Sequence, residues 1–308
     1  MDLFEIKAIK PMLISKQVPA FNSSDYIYEL KQDGIRCINY VDENSIDLRN
    51  KRNMILTSKF PELTEIYKNV KGKAILDGEL IVLKNGVPDF YELQRRVMLT
   101  DFFKIQLAAK KLPASYVAYD IIYHDGKEVT ELPLLERKQL LDSIIEENKR
   151  LAVSRYIKEF GIELYKLTCE QELEGVVAKE IHSKYFFDKR SKDWLKIKRM
   201  ADEDFVICGY ILKESSNTLV LGQYDEGQLI YKGNVTLGVK LDFLQEYDCK
   251  RISETPFTIS PEWSEKVEWI KPELVCVVEY MPNTKDRLRQ AVFKGIRNDV
   301  MPYDCKVK

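Results

Sequence analysis

Residues 26–36, Tyr26-Ile27-Tyr28-Glu29-Leu30-Lys31-Gln32-Asp33-Gly34-Ile35-Arg36, are the stretch from which the rest of the chain is organised. The aromatic and aliphatic run over 26–31 reads as a strand. Successive side chains on a strand alternate between faces, so Glu29 and Lys31 point the same way. Asp33-Gly34 is a strong turn signal, and residues 36–41 read as the strand returning from it in a hairpin. A carboxylate and an amine on one face can do chemistry, and they are equally the polar end of an ordinary hairpin.

Four more charged cassettes follow in order. Leu76-Asp77-Gly78-Glu79-Leu80 lies in a β-rich run over 74–83, with Asp77 and Glu79 on one face. Tyr119-Asp120 lies in an apolar strand over 116–123, closed by Asp125-Gly126. Glu174-Gly175-Val176-Val177-Ala178-Lys179 reads as a strand. So does Asp193-Trp194-Leu195-Lys196-Ile197-Lys198, in which Trp194, Lys196 and Lys198 share a face. Two ammoniums on one wall suit phosphate charge in an in-line displacement, and lysines also simply blunt edge strands. A lysine amine can attack a phosphorus once neutral. An ordinary lysine is only about 0.1% neutral at pH 7.4, a cost of about 4 kcal/mol, which neighbouring cations (Arg36, Lys196, Lys198) and a metal would lessen. Carboxylates such as Glu79 and Glu174 are useful opposite a triphosphate when they hold Mg²⁺ or orient sugar hydroxyls.

Elsewhere, Phe60, Leu63 and Ile66 at helical spacing predict a short helix over 58–69, and Asp89 with Glu92 predicts a capped helix through Val97. Pro133 opens an amphipathic helix to about Asn148, and 157–170 reads as helical. After Lys198 the pattern becomes short strands (204–213, 218–225, 228–235, 273–281, 288–293) around one helix over 239–247, with Glu226-Gly227 as a hairpin turn. The reading is α+β in two domains, 1–200 and 201–308, the second mostly β and compatible with a small OB-type barrel.

The 308 residues are 45% apolar and 31% charged, enough for a substantial core. No apolar run reaches a membrane-spanning length, and no signal peptide is read at the start. Six scattered cysteines without zinc-site spacing fit reduced thiols in the cytoplasm. Net charge is −1, yet residues 179–199 hold eight Lys/Arg against three Asp/Glu, and 285–299 five against two. Local basic patches in a neutral chain suit a polyanion on one face, and a solvated charged face fits as well.

Jointly and in this order, the cassettes resemble the nucleotidyltransferase core of ATP-dependent DNA ligases. These belong to a covalent superfamily that also holds RNA ligases and capping enzymes. The fuller wording is similar to bacterial and phage members, including the ligase domain of bacterial end-joining enzymes. It comprises Glu29-Leu30-Lys31, Phe60-Pro61-Glu62, Glu92-Leu93-Gln94-Arg95-Arg96, 173–179, Ser183-Lys184-Tyr185, 190–198 and Phe293-Lys294-Gly295-Ile296-Arg297, and it spans nearly the whole chain.

The resemblance implies a nucleotidyltransferase (adenylation) domain followed by an OB-fold domain. It implies sealing of 5′-phosphate/3′-hydroxyl nicks in duplex DNA with ATP through a lysyl-AMP intermediate. Lys31 would accept AMP, Glu29 would face the adenine and Tyr119 would stack on it. Arg36 and Arg49 would reach ribose, phosphate or the DNA 5′-phosphate. Glu79 and Glu174 would serve the sugar or a metal, Mg²⁺ or alternatively Mn²⁺. Arg190, Lys196 and Lys198 would bind the triphosphate. Arg297, with Asp299, would orient the leaving pyrophosphate, the second domain swinging about a hinge over 198–204. The expected partners are nicked DNA and a Ku-like end-binding protein or a clamp, with a monomeric protein and no membrane.

The pattern departs from the family at Val300, where a lysine is usual, at Lys51, where glycine is common, and at Tyr119, where phenylalanine is more usual. Residues 1–21 are too short for a DNA-binding domain ahead of the core. The competing readings are an RNA ligase or capping-type enzyme, and a non-catalytic nick-binding protein on the same fold.

Overall fold

A computed structural model describes residues 2–214, 216–282 and 288–307. Lys285 and Arg287 of the second basic stretch lie outside the described residues. The chain divides into two compact units, Met1–Lys198 and Arg199–Lys308.

The first unit runs α1 (Leu3–Ile6), β1 (Leu13–Ile14), β2 (Ser23–Leu30), β3 (Ile35–Val41), β4 (Ile46–Asn50), β5 (Ala74–Lys84), β6 (Val87–Pro88), α2 (Phe90–Met98), α3 (Phe102–Lys111), β7 (Ala114–His124), β8 (Lys127–Glu128), α4 (Leu134–Ile144), β9 (Leu151–Val153), β10 (Tyr156–Glu159), α5 (Gly161–Glu170), β11 (Gly175–Glu180), β12 (Arg190–Ser191) and β13 (Trp194–Lys198). Two antiparallel-rich sheets organise it. One has the order β10-β2-β11-β13, and the other β4-β3-β5-β7-β8, with β6 on β5 and β9 parallel to β7.

The expected hairpin at Asp33-Gly34 does not form. β2 and β3 belong to different sheets, and residues 31–34 cross from one to the other. Both strands find wider apolar partners elsewhere: β2 lies between β10 and β11, and β3 between β4 and β5. Gly34 is needed at the crossing because a Cβ there would lie 2.1 Å from the Leu80 carbonyl oxygen. Gly34→Ala should therefore lose about 2 kcal/mol or more by overpacking. A urea midpoint unchanged from wild type would contradict this.

Three other elements differ from the sequence reading. Residues 57–69 form three 3₁₀ turns instead of an α-helix, with Pro61 opening the second. They still bury Phe60, Leu63 and Ile66 in the main core. Residues 156–159 are a strand on the edge of β2, so the helix begins only at Gly161. Helix α3 has no counterpart in the sequence reading and starts on an Asp101 cap accepting from the Lys104 amide. The Asp89 cap accepts from the Glu92 amide, and α4 stops at Ile144, short of Asn148.

The main core fills one face of the larger sheet beneath the 3₁₀ turns and α4. On the other face Ile38, Tyr40, Ile75 and Ile122 pack with Phe4, Met12, Tyr185 and Trp194. Tyr28, Val176, Ala178 and Ile197 of the smaller sheet pack against Leu164 and Tyr165 of α5. This arrangement leaves polar residues of both sheets facing each other.

The second unit contains β14 (Ala201–Leu212), β15 (Asn217–Asp225), β16 (Gln228–Val235), α6 (Phe243–Glu246), β17 (Glu268–Met281) and β18 (Arg289–Arg297). They form one antiparallel sheet, β16-β15-β14-β17-β18. Glu226 and Gly227 both have positive φ, the geometry a two-residue hairpin needs. The sheet curls until Leu237, just past β16, bridges Val292 on β18, with the Phe293 amide donating to the Leu237 carbonyl at 2.9 Å. A five-stranded curled sheet closing this way is OB-like. No helix among the described residues is long and apolar enough to cross a membrane.

Candidate active site

A cleft of about 650 Å³ opens between the two sheets of the first unit, within the size range of small-molecule sites. Strand register builds its walls. Glu29, Val177 and Lys196 lie side by side across β2, β11 and β13, with Ile27, Lys179 and Trp194 in the next row. The Lys31 amide donates to the Gly175 carbonyl at 2.9 Å, and Gly175 pairs with Lys198, so Lys31 and Lys198 share the outermost row. Gly175 has φ +138°, and a Cβ there would lie 2.1 Å from the Ile197 carbonyl oxygen. On the opposite wall, Asp77 pairs with Asp120 and Gly78 with Ala118. Tyr119 is therefore the extra residue of a β-bulge, a device that re-aims side chains, and it lines the cleft.

Lys31, Glu29, Arg36, Glu79, Tyr119, Arg190, Lys196 and Lys198 all line this cleft. Of the cations expected near Lys31, Lys198 shares a carboxylate partner with it. Lys31 Nζ lies 2.8 Å from Glu174 Oε1, and Lys198 Nζ lies 3.7 Å from the same oxygen. One carboxylate thus gathers two lysines. Glu79 carries no ion pair among the described residues. Burial first, with repulsion from Glu174 and Asp77, outweighs Lys31 and Arg36 and pushes its carboxyl up to about 8.

Arg36 reaches the cleft already engaged, donating to Asp77 from Nε at 3.0 Å and Nη2 at 2.5 Å. Tyr185 donates to the same carboxylate at 2.7 Å. The guanidinium lies 5.7 Å from the Tyr119 ring centroid, and Trp194 meets that ring edge-on at 6.3 Å. Arg190 donates to the Ile14 carbonyl at 2.7 Å, tying the N-terminal segment to the rim.

Arg49 stands apart from the lining. It is held by Asp47 at 2.9 Å and by the Lys7 carbonyl at 3.2 Å, while its neighbours Asn50, Lys51 and Arg52 face the cleft. Alternation along β4 turns Arg49 and Asp47 to the same side, where they pair. Arg297 belongs to the second unit, where Asp204 holds it at 3.0 Å and Asp299 at 2.6 Å.

Asp77 and Tyr185, both within quoted stretches but assigned no role there, act on Arg36 from far along the chain. Lys138 and Ser154, which hold Glu29 from behind, carry no local signal in the sequence. Lys179, the last residue of the 174–179 cassette, lines the cleft. Among the described residues no cluster of three or more His, Cys, Asp or Glu is built to hold a metal. The six cysteines are free thiols.

The family described as ATP dependent DNA ligase domain matches residues 7–198, and ATP dependent DNA ligase C terminal region matches 213–300. The SPbeta prophage-derived DNA ligase-like protein LigB of Bacillus subtilis is 35% identical over 209 residues, covering 67% of this chain and 73% of that protein. The multifunctional non-homologous end joining protein LigD of Pseudomonas aeruginosa is 31% identical over 293 residues, covering 89% of this chain. The chain spans only 34% of that LigD. In fold, the ligase domain of M. tuberculosis LigD is similar with a TM-score of 0.58 at 24% identity over 100% of both chains. A Lig E DNA ligase gives 0.62 at 16% identity over 94% of this chain and 100% of its own. Two family matches in chain order, one carrying the cleft and the other most of the curled sheet, place the molecule: the chain belongs to the ATP-dependent DNA ligase family.

Proposed function

We propose that this chain seals 5′-phosphate/3′-hydroxyl nicks in duplex DNA, using ATP, through AMP carried on Lys31. The observation that supports this most is the cleft lining. Eight cationic side chains (Lys31, Arg36, Lys51, Arg52, Lys179, Arg190, Lys196, Lys198) face two carboxylates there, beside the Tyr119 and Trp194 rings. A polyphosphate with a flat aromatic base matches that lining.

In the first step Lys31 Nζ, as the free amine, attacks the α-phosphorus. A P–N bond forms, the bond to the bridging oxygen breaks, and pyrophosphate leaves. In the second, an oxygen of the DNA 5′-phosphate displaces lysine and AMP moves to the DNA. In the third, the 3′-hydroxyl attacks the 5′-phosphorus, giving up its proton, and AMP leaves. Little covalent work falls to the protein, so positioning and charge neutralisation dominate. Glu174 holds Nζ in place before attack. Arg190, Lys196 and Lys198 take the triphosphate, and Arg36, braced by Asp77, faces the sugar and α-phosphate. For Arg297 we keep the role the family resemblance implies, contact to the pyrophosphate. Arg49 keeps only an indirect part, shaping the 50–54 loop.

Glu79, with Glu174 behind Lys31, would be the residues to hold a divalent cation, Mg²⁺ or Mn²⁺. Burial, and after it repulsion from Glu174, hold the Glu79 carboxyl up to about 8 against the pull of Lys31 and Arg36, and a cation there would offset both. Such a cation supplies charge neutralisation to the triphosphate.

The test is incubation with α-labelled ATP and a divalent metal, then a chase with nicked DNA, nicked RNA and hybrid duplexes. Label on the protein, discharged as nicked DNA closes, is the expected result. Discharge only on RNA would move the substrate to the RNA-ligase reading, and DNA binding without label would favour a nick-binding protein. The relatives named for non-homologous end joining suggest that role here, with a Ku-like end-binding protein or a clamp as partner.

A further inference from the structure

Glu29 lines the cleft, as Tyr119 does, is only 2% exposed, and is held both from the cleft wall and from behind it. Its Oε2 accepts from Ser154 Oγ at 3.0 Å and from Lys179 Nζ at 3.0 Å. Its Oε1 is 2.9 Å from Lys138 Nζ, yet it is buried without a hydrogen bond of its own among the described residues. Lys138 comes from α4, does not line the cleft and is 1% exposed. Its hydrogen bonds go to the carbonyls of Ser154 at 3.0 Å and Tyr119 at 3.3 Å. One lysine from behind thus fixes the base-side carboxylate and the backbone of the neighbouring ring. Lys179, over the Tyr119 and Trp194 rings at 4.6 and 4.3 Å, completes the clamp.

We infer that Lys138 is a positioning residue for base selection: paired with Glu29 from behind, it locks that residue as a fixed, acceptor-only carboxylate on the cleft wall, which favours the exocyclic amine of adenine over the carbonyl of guanine. The inference rests on the proposed reading of the cleft as a nucleotide site. An ionised carboxylate only accepts, whereas a protonated one also donates. Burial would hold a proton on Glu29, and the charges of Lys138 and then Lys179 overcome it, keeping the group ionised. Without Lys138 the carboxyl is freer to take up a proton or rotate. It could then donate to a guanine carbonyl, and the discrimination built on a fixed, acceptor-only group falls away.

The experiment compares self-labelling by α-labelled ATP and α-labelled GTP in wild type, Lys138→Met, Lys138→Arg and Lys138→Gln, with thermal stability measured alongside. Wild type should favour ATP by about a hundredfold or more in kcat/KM. Lys138→Met should shrink that ratio at least about tenfold, through a raised KM for ATP and a gain with GTP, and Lys138→Arg should restore most of it. A purely structural lysine would lower stability and both activities together, leaving the ratio fixed. An unchanged ratio in folded Lys138→Met overturns the inference. If that variant does not fold, an unchanged ratio in Lys138→Gln, which keeps a polar side chain without the charge, does so. Wild-type labelling without base preference sinks the inference alone, and no labelling by either nucleotide sinks the adenylylation reading with it.

Discussion

Lys31→Ala should lose covalent AMP to background, a drop of roughly a thousandfold or more, as when a covalent nucleophile is removed elsewhere. Lys31→Arg should fail as completely. Arginine keeps the charge and can still pair with Glu174, but its guanidinium does not give up a proton in proteins and so cannot attack phosphorus. The pair of variants separates two roles for the position, since a merely electrostatic Lys31 would tolerate arginine. Both should keep ATP binding, because Glu29, Tyr119 and the Lys196/Lys198 wall are untouched; nucleotide-induced thermal stabilisation reads this directly. Label at wild-type level on Lys31→Ala would remove Lys31 as the acceptor.

Arg137→Ala should produce the largest loss of stability. Arg137 and Asp120 are both fully buried, joined at 2.8 and 2.9 Å, and the same guanidinium donates to the carbonyls of Leu132 and Ser183. Removing it leaves a buried carboxylate without its partner, a loss of about 3–5 kcal/mol. At about 3 °C per kcal/mol for a unit of this size, the midpoint falls by roughly 10 °C. Breaking one side is the costly change, so Arg137→Met with Asp120→Leu should cost less than Arg137→Ala alone.

The pH dependence carries a definite sign. Burial favours the protonated Asp120, but Arg137 outweighs it and holds the carboxyl below its usual value. The stabilisation is thus fully present above the unfolded value near 3.8 and is lost as pH falls through the lower folded one. In Arg137→Ala burial is opposed only by the weaker pull of Lys179 and the Ile121 amide, so the carboxyl rises and acid relieves the variant. Its deficit against wild type should shrink between pH 7 and pH 5 in urea unfolding. A constant deficit would mean that Arg137 contributes packing rather than charge.

Much of the site was legible because strands alternate. Glu29 with Lys31, and Trp194 with Lys196 and Lys198, each fall on one face by period two, and those faces line the cleft; of Asp77 and Glu79 only Glu79 does so, Asp77 being buried against Arg36. What failed was pairing. Asp33-Gly34 has the chemistry of a hairpin turn, and local chemistry cannot say whether the strands on either side join each other or different sheets. That choice belongs to β5 and β11, more than thirty residues away, which offer β3 and β2 larger apolar faces. The 57–69 segment failed for a similar reason: its apolar spacing suits burial by 3₁₀ turns as well as by a helix.

Local residue order carries the α+β composition, the strand faces, the change of pattern near Lys198 and the family. Which charges meet is set by long-range packing. It sets Glu174 against Lys31, turns Arg49 away to Asp47, and brings Lys138 from a helix beneath Glu29. A buried charge must be matched within a few ångströms, and the partner that matches it is chosen by the packing of distant elements rather than by its neighbours in the chain.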